Sequence, residues 1–105
     1  MLYLKLDTIL ERLKKFFRKT AEIQEVYLFG SVARNDHLPW SDIDLLILSK
    51  SPEKIRIKVN SFLNEIFVNE SILVSAIMEN CDKISITSRY FKQEGKLLWA
   101  KKKNL

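Results

Sequence analysis

The chain has 105 residues, 47% of them hydrophobic and 30% charged, with a net charge of +5. Those values describe a single folded domain and argue against a disordered or fibrous chain, while two glycines and two prolines leave little for loops or repeats. No apolar run approaches the roughly 18 residues of a membrane span. The opening MLYLKLDTILERLKK lacks the ordered regions of a signal peptide, and the lone cysteine, Cys81, has no partner for an internal disulfide, so the expected location is the cytoplasm.

A first helix is expected from a cap at Asp7 or Thr8 to about Lys19, with Ile9, Leu10, Leu13, Phe16 and Phe17 at helical spacing. Arg12, Lys14, Lys15 and Arg18 fall on its other side, as a solvated face would have them. Residues 25–29 read as a short strand ended by Gly30-Ser31. Residues 31–34 form one helical turn, and 35–41 a polar loop containing Pro39. A second strand covers 42–49, and its run of four apolar residues suits a central strand covered on both faces. Ser51-Pro52 opens a helix whose stripe is Ile55, Val59, Phe62, Leu63, Ile66 and Phe67. Residues 72–78 make a third strand, Thr87 caps a last helix through Glu94, Gly95 ends it, and 96–100 form a short edge strand. Lys101-Lys102-Lys103 reads as a solvated end. The expected fold is α/β (α+β): one small domain over residues 1–105, a mixed β-sheet with helices packed on it.

The chemistry concentrates in GSVARNDHLPWSDIDLLIL. A carboxylate in an apolar run costs several kcal/mol unless compensated. Residues two apart in a strand share a face, so Asp42 and Asp44 project together while Ile43 points away. Two adjacent carboxylates suit Mg²⁺, which takes one or two and fills its other positions with water and phosphate oxygens. Zinc would ask for cysteine and histidine ligands, and the chain has one of each without metal spacing. Gly30 lets a phosphate approach the backbone, Ser31 adds amide and hydroxyl donors, and Arg34 lies one turn on. A phosphate cradle facing a carboxylate pair is the layout of nucleotidyl or phosphoryl transfer.

The same stretch resembles the Gly-Ser-x10-Asp-x-Asp signature of the polymerase-β-like nucleotidyltransferase superfamily, and in particular its minimal nucleotidyltransferase (MNT) domain. Ser31 and Asp42 stand at the required separation, Asp44 follows, and Ser41 begins the family's usual SDIDL. The helices before and after, and the FKQEGKLLW ending, also fit. The resemblance implies transfer of a nucleotide, usually AMP from ATP, with Mg²⁺ held by Asp42 and Asp44 as metal and catalytic residues and by a third acidic residue on a neighbouring strand. Gly30, Ser31, Arg34 and Ser41 would bind the nucleotide. It further implies a HEPN-domain toxin as partner, neutralised by AMP placed on a tyrosine or by direct binding. Larger relatives carry extra domains for the acceptor, so an external protein acceptor is expected for so short a chain.

Two positions depart from the family pattern. Asn35 replaces a glycine, and asparagine tolerates a left-handed backbone. Ser75 occupies the place of the third carboxylate, with Glu70 and Glu79 flanking that strand. The primary expectation is a nucleotidyltransferase antitoxin. Its alternative is an antitoxin with a weakened site that works by binding only. A nucleic-acid-binding module rests on bulk charge alone, so neither nucleic acid nor membrane is an expected direct partner. Homodimer and hetero-oligomer both stay open. His37 is expected as an exposed loop residue, Trp40 as an adenine platform, loop anchor or partner contact, and Tyr90, Phe91 and Trp99 as residues packing the last helix onto the sheet, with an exposed patch for a partner as the alternative for one or more of them.

Overall fold

The alternation of the second apolar strand decides the layering. In the computed structural model, which describes residues 2–102, the elements run α1 (Leu2–Arg18), β1 (Ile23–Phe29), α2 (Gly30–Arg34), β2 (Ile43–Ser49), α3 (Pro52–Glu70), β3 (Val74–Asn80), α4 (Ile86–Glu94) and β4 (Lys96–Ala100). They build a four-stranded sheet of order β3-β2-β1-β4. β1 is antiparallel to β2 and to β4, whereas β2 and β3 are parallel, joined by α3 as a crossover needs. The sheet is mixed, β2 is interior and β4 is an edge, as expected. Lys103 lies outside the described residues.

Ile43, Leu45 and Ile47 of β2 face one way, into a core shared with Ile9, Leu13 and Phe17 of α1 and Ile55, Val59, Leu63 and Ile66 of α3. Leu46 and Leu48 face the other way, packed with Tyr27, Phe29, Cys81, Ile84 and Phe91. Leu45 to Leu48 are all fully buried, which is what four apolar residues in succession require of an interior strand. α1 and α3 therefore cover one face, and α4 covers part of the second. Phe67, placed on the apolar stripe of α3 by its spacing, instead lies about half exposed at the helix's last turn.

Element ends show where local patterns yielded to tertiary contacts. α1 starts at Leu2, not at a cap on Asp7 or Thr8: the fully buried Leu2 donates its amide to the Pro39 carbonyl (3.1 Å), and the Tyr3 hydroxyl donates to the His37 carbonyl (2.9 Å). The loop between α2 and β2 thus does the work of a cap. The His37 ring meets the Tyr3 ring edge-on at 5.4 Å, so this residue is half-buried at that junction and not the free loop residue expected. α4 is capped by Ser85, whose hydroxyl accepts from the Ser88 amide (3.1 Å), and Thr87 falls inside the first turn. β3 begins at Val74, two residues later than the apolar run, where the Leu73 carbonyl accepts from the Ile43 amide (3.0 Å) and opens the ladder with Ile43 opposite Val74. Asn35 adopts φ 60° at the end of α2, the left-handed conformation asparagine tolerates.

Beneath α4 the Tyr27 hydroxyl donates to Glu25 (2.8 Å), and Lys92 lies over the Tyr27 ring and 3.6 Å from the other Glu25 oxygen. Burial first, then the hydrogen bond to Glu25 and its negative charge, push the phenol up to about 12 from 10.0. The folded state holds this proton more tightly than the unfolded chain. Its contribution to stability is complete below about pH 10 and is lost as pH rises towards 12. Spectrophotometric titration is expected to show one of the three tyrosines ionising late, with Tyr27→Phe removing that step.

Candidate active site

Asp44 shares a face with Leu46 and Leu48 on β2 and is the point where that face leaves the core. Across the sheet it pairs with Phe29, so the turn that follows β1 meets its side chain. Gly30 sits in that turn at φ +77°, and a Cβ placed there would lie 2.6 Å from Asp44 Oδ2. Both facts demand glycine: the backbone is left-handed, and the space is already taken by the carboxylate. Gly30→Ala is expected to cost about 1–2 kcal/mol in backbone strain and to displace Asp44, read as a lower melting temperature.

Asp42 stands one residue ahead of β2, exposed at the end of the loop. Its charge acts on its neighbour: burial first, and then the Asp42 charge, raise the Asp44 carboxyl above its ordinary 3.8. Concentrated negative charge without a compensating cation is what a divalent ion relieves. The adjacent α2 has no side chain capping its first turn, and the Ser31 hydroxyl makes no hydrogen bond among the described residues. Arg34 reaches out from the same turn, exposed and paired with Asp36 at 3.2 Å.

Ser41 has a different task. Its hydroxyl accepts from the Leu38 amide (2.8 Å) while its own amide donates to the Leu38 carbonyl (3.0 Å), closing the turn that delivers Asp42. Trp40 beside it is three-quarters exposed. The structure brings Gly30 and Asp44 into contact with Asp42 close by. It keeps Ser31 and Arg34 on the adjoining turn and leaves Ser41 bonded within its loop.

The register of β3 on β2 pairs Ser75 directly with Asp44. A third carboxylate would have to come from elsewhere, and neither flanking glutamate supplies it. Glu70, at the end of α3, is 3.2 Å from Lys5 and 4.0 Å from Arg12. Glu79 pairs with Leu48, four residues and roughly 13 Å further along the strand, and accepts from the Ser85 hydroxyl and amide (3.2 and 3.4 Å). Among the described residues no group of three or more His, Cys, Asp and Glu side chains comes together.

The spacing of the motif did not reveal the wall of the site. A cleft of about 170 Å³ is lined by Phe29, Gly30 and Arg34 on one side and by Tyr90, Phe91 and Glu94 of α4 on the other. Phe91 stacks on Phe29 with ring centroids 4.3 Å apart, as a packing residue should. Tyr90 is instead 60% exposed, which takes it off the packed face and leaves it to the alternative of an exposed residue. The signal was present: neighbours in a helix point about 100° apart, so Tyr90 and Phe91 cannot both face the sheet.

The fold and the candidate site together are those of a small mixed sheet with a paired-aspartate edge beside a glycine turn. The chain belongs to the nucleotidyltransferase domain family, whose model matches residues 6–100. Comparison with curated proteins returns no sequence match. Among solved structures, a toxin–antitoxin crystallised with AMP-PNP superposes with a TM-score of 0.69 at 21% identity, over 88% of this chain and 73% of that one. A complex of a tri-AMPylated Shewanella oneidensis HEPN toxin with an MNT antitoxin gives 0.62 at 20% identity, over 96% and 74%. At these identities the likenesses show a common fold.

Proposed function

We propose that this protein is an MNT antitoxin that transfers AMP from ATP to a tyrosine of a HEPN-domain toxin. The observation that carries the reading is the Asp44 carboxylate set against Gly30, with Asp42 beside it. The solved neighbours support it, one holding an ATP analogue and one an AMP-modified toxin beside its antitoxin. The donor set suits Mg²⁺: two carboxylates whose concentrated charge favours a cation, beside an exposed Ser75, with the rest of the shell left to phosphate oxygens and water. When bound, the ion would neutralise the triphosphate.

Within the chain, Gly30 and Ser31 would receive the phosphates through backbone and hydroxyl, and Arg34 would exchange Asp36 for a phosphate oxygen. The acceptor hydroxyl would attack the α-phosphorus. The bond to the β-phosphate oxygen breaks, pyrophosphate departs, and the hydroxyl proton passes to one of the two aspartates, Asp42 or Asp44. The test is intact mass of the HEPN partner after incubation with this protein, ATP and Mg²⁺. An added AMP mass supports transfer.

Ser75 favours a second reading. With serine paired to Asp44 and Glu70 and Glu79 engaged elsewhere, the carboxylate set stops at two. A binding-only antitoxin would form a stable complex with the toxin and leave its mass unchanged.

A further inference from the structure

We propose that the outer surface of α1 and α3, on the opposite side of the sheet from the two aspartates, holds a second binding site: a basic groove for the phosphate backbone of single-stranded nucleic acid. From sequence these cations had only bulk charge to recommend them, and they read as a solvated face. The structure adds their arrangement. Phe16 of α1 lies flat on Phe62 of α3, with centroids 4.3 Å apart and planes 8° from parallel, so the ring pair ties the two helices together. Arg12 sits 5.9 Å over the Phe62 ring and Lys58 lies 5.7 Å over Phe16. The rings thus restrain two cations that would otherwise range freely.

Beside the ring pair, a cleft of about 280 Å³ is lined by Arg12, Lys15, Phe16, Lys19 and Phe62. It adjoins a second of about 460 Å³ that shares Arg12 and Lys15 and reaches Arg18. Arg12 and Lys15 follow one stripe of α1 and Lys19 stands just past its end, the three covering roughly 10 Å along the helix direction. Among the described residues, Lys15, Arg18, Lys19 and Lys58 have no carboxylate within 4 Å, and Arg12 meets Glu70 only at 4.0 Å. Asp7 and Glu11 border the second cleft, with Glu11 neutralised by Lys14, and exposed Glu65 lies one turn beyond Phe62.

Gathering like charges without partners costs repulsion that packing does not require, since neutral neighbours would serve the ring pair as well. A line of phosphates relieves it. Cations in a row along a groove fit a continuous phosphate chain better than the scattered carboxylates of an acidic protein. A flexible single strand can lay successive phosphates along a line of cations this short, whereas a duplex offers its phosphates on two strands held apart by a groove. A positively charged track along the backbone is the sequence-independent part of single-strand binding, while the two rings, stacked on each other with Arg12 and Lys58 over them, hold the cations in place. The proposal does not depend on the catalytic reading, and either can fail alone.

The experiment is fluorescence anisotropy of the full chain with a labelled oligouridine of about 15 nucleotides. Affinity is expected to fall roughly 20- to 50-fold between 50 and 200 mM salt, as three to four phosphate contacts require. Lys15→Glu with Lys19→Glu should weaken binding at least 10-fold. The charge-matched pair Lys83→Glu with Lys96→Glu, outside the groove, should stay within 2-fold, with circular dichroism confirming that both variants are folded. Absence of binding at 50 mM salt overturns the proposal, and so does equal loss in the two variants, which would assign the effect to net charge. Equal affinity for a duplex of the same length overturns the single-strand assignment. Displacement by polyglutamate at matched charge would point instead to an acidic protein surface.

Discussion

Asp42→Asn is expected to abolish AMP transfer, with a loss of roughly 100-fold or more, while leaving the fold unchanged. Asp42 is exposed and outside the strand, so its charge can go with little effect on stability, within about 0.5 kcal/mol. Asp44→Asn should be equally inactive but differ in a thermal scan. Burial and the neighbouring Asp42 raise the Asp44 carboxyl, so the folded state prefers it protonated. Its favourable contribution is complete below the ordinary carboxylate range and is lost as pH rises through the raised value. At neutral pH, Asp44 is a liability, and asparagine should raise the melting temperature without metal. Mg²⁺ should raise the melting temperature of the unaltered protein and not of either variant. Full transfer activity in Asp42→Asn would remove the assigned role of the pair.

Ser75→Asp is the second large effect, in the opposite direction. The register sets position 75 against Asp44, so an aspartate there completes a carboxylate triad without rebuilding the backbone. Transfer to the partner should rise roughly 10-fold at limiting Mg²⁺, and the Mg²⁺ needed for half-maximal rate should fall. Without metal the third charge should destabilise the protein, and saturating Mg²⁺ should return the loss. Calorimetry with and without Mg²⁺ measures that part independently of any acceptor. If the unaltered protein shows no transfer and Ser75→Asp restores it, the chain is a binding antitoxin one substitution from an enzyme. If metal affinity does not change, position 75 does not face the ion.

Much of the candidate site's geometry was legible because its parts are local. Asp42 and Asp44 are two residues apart in a strand, so alternation alone aligns them. Gly30 and Ser31 end the preceding strand, and antiparallel pairing of strands this close in sequence brings their ends together. Asn35 at φ 60° likewise follows from a local backbone preference. Helix ends were less legible. A side chain in the sequence cannot compete as a cap once another segment supplies the acceptor, as Pro39 does for Leu2.

The sequence by itself determined the family, the strand-and-helix order, and the carboxylate pair with its glycine turn, because each depends on residues close along the chain and on periods set by backbone geometry. Only the tertiary structure decided that Ser75 stands beside Asp44 while Glu70 and Glu79 are bound elsewhere, since parallel register is fixed by packing across a crossover helix. It alone set Tyr90 across the cleft from Arg34 and gathered the cations of two helices around one pair of phenylalanine rings. Those juxtapositions join residues tens of positions apart, and burial of the shared core, which pins each helix to its face, is what produces them.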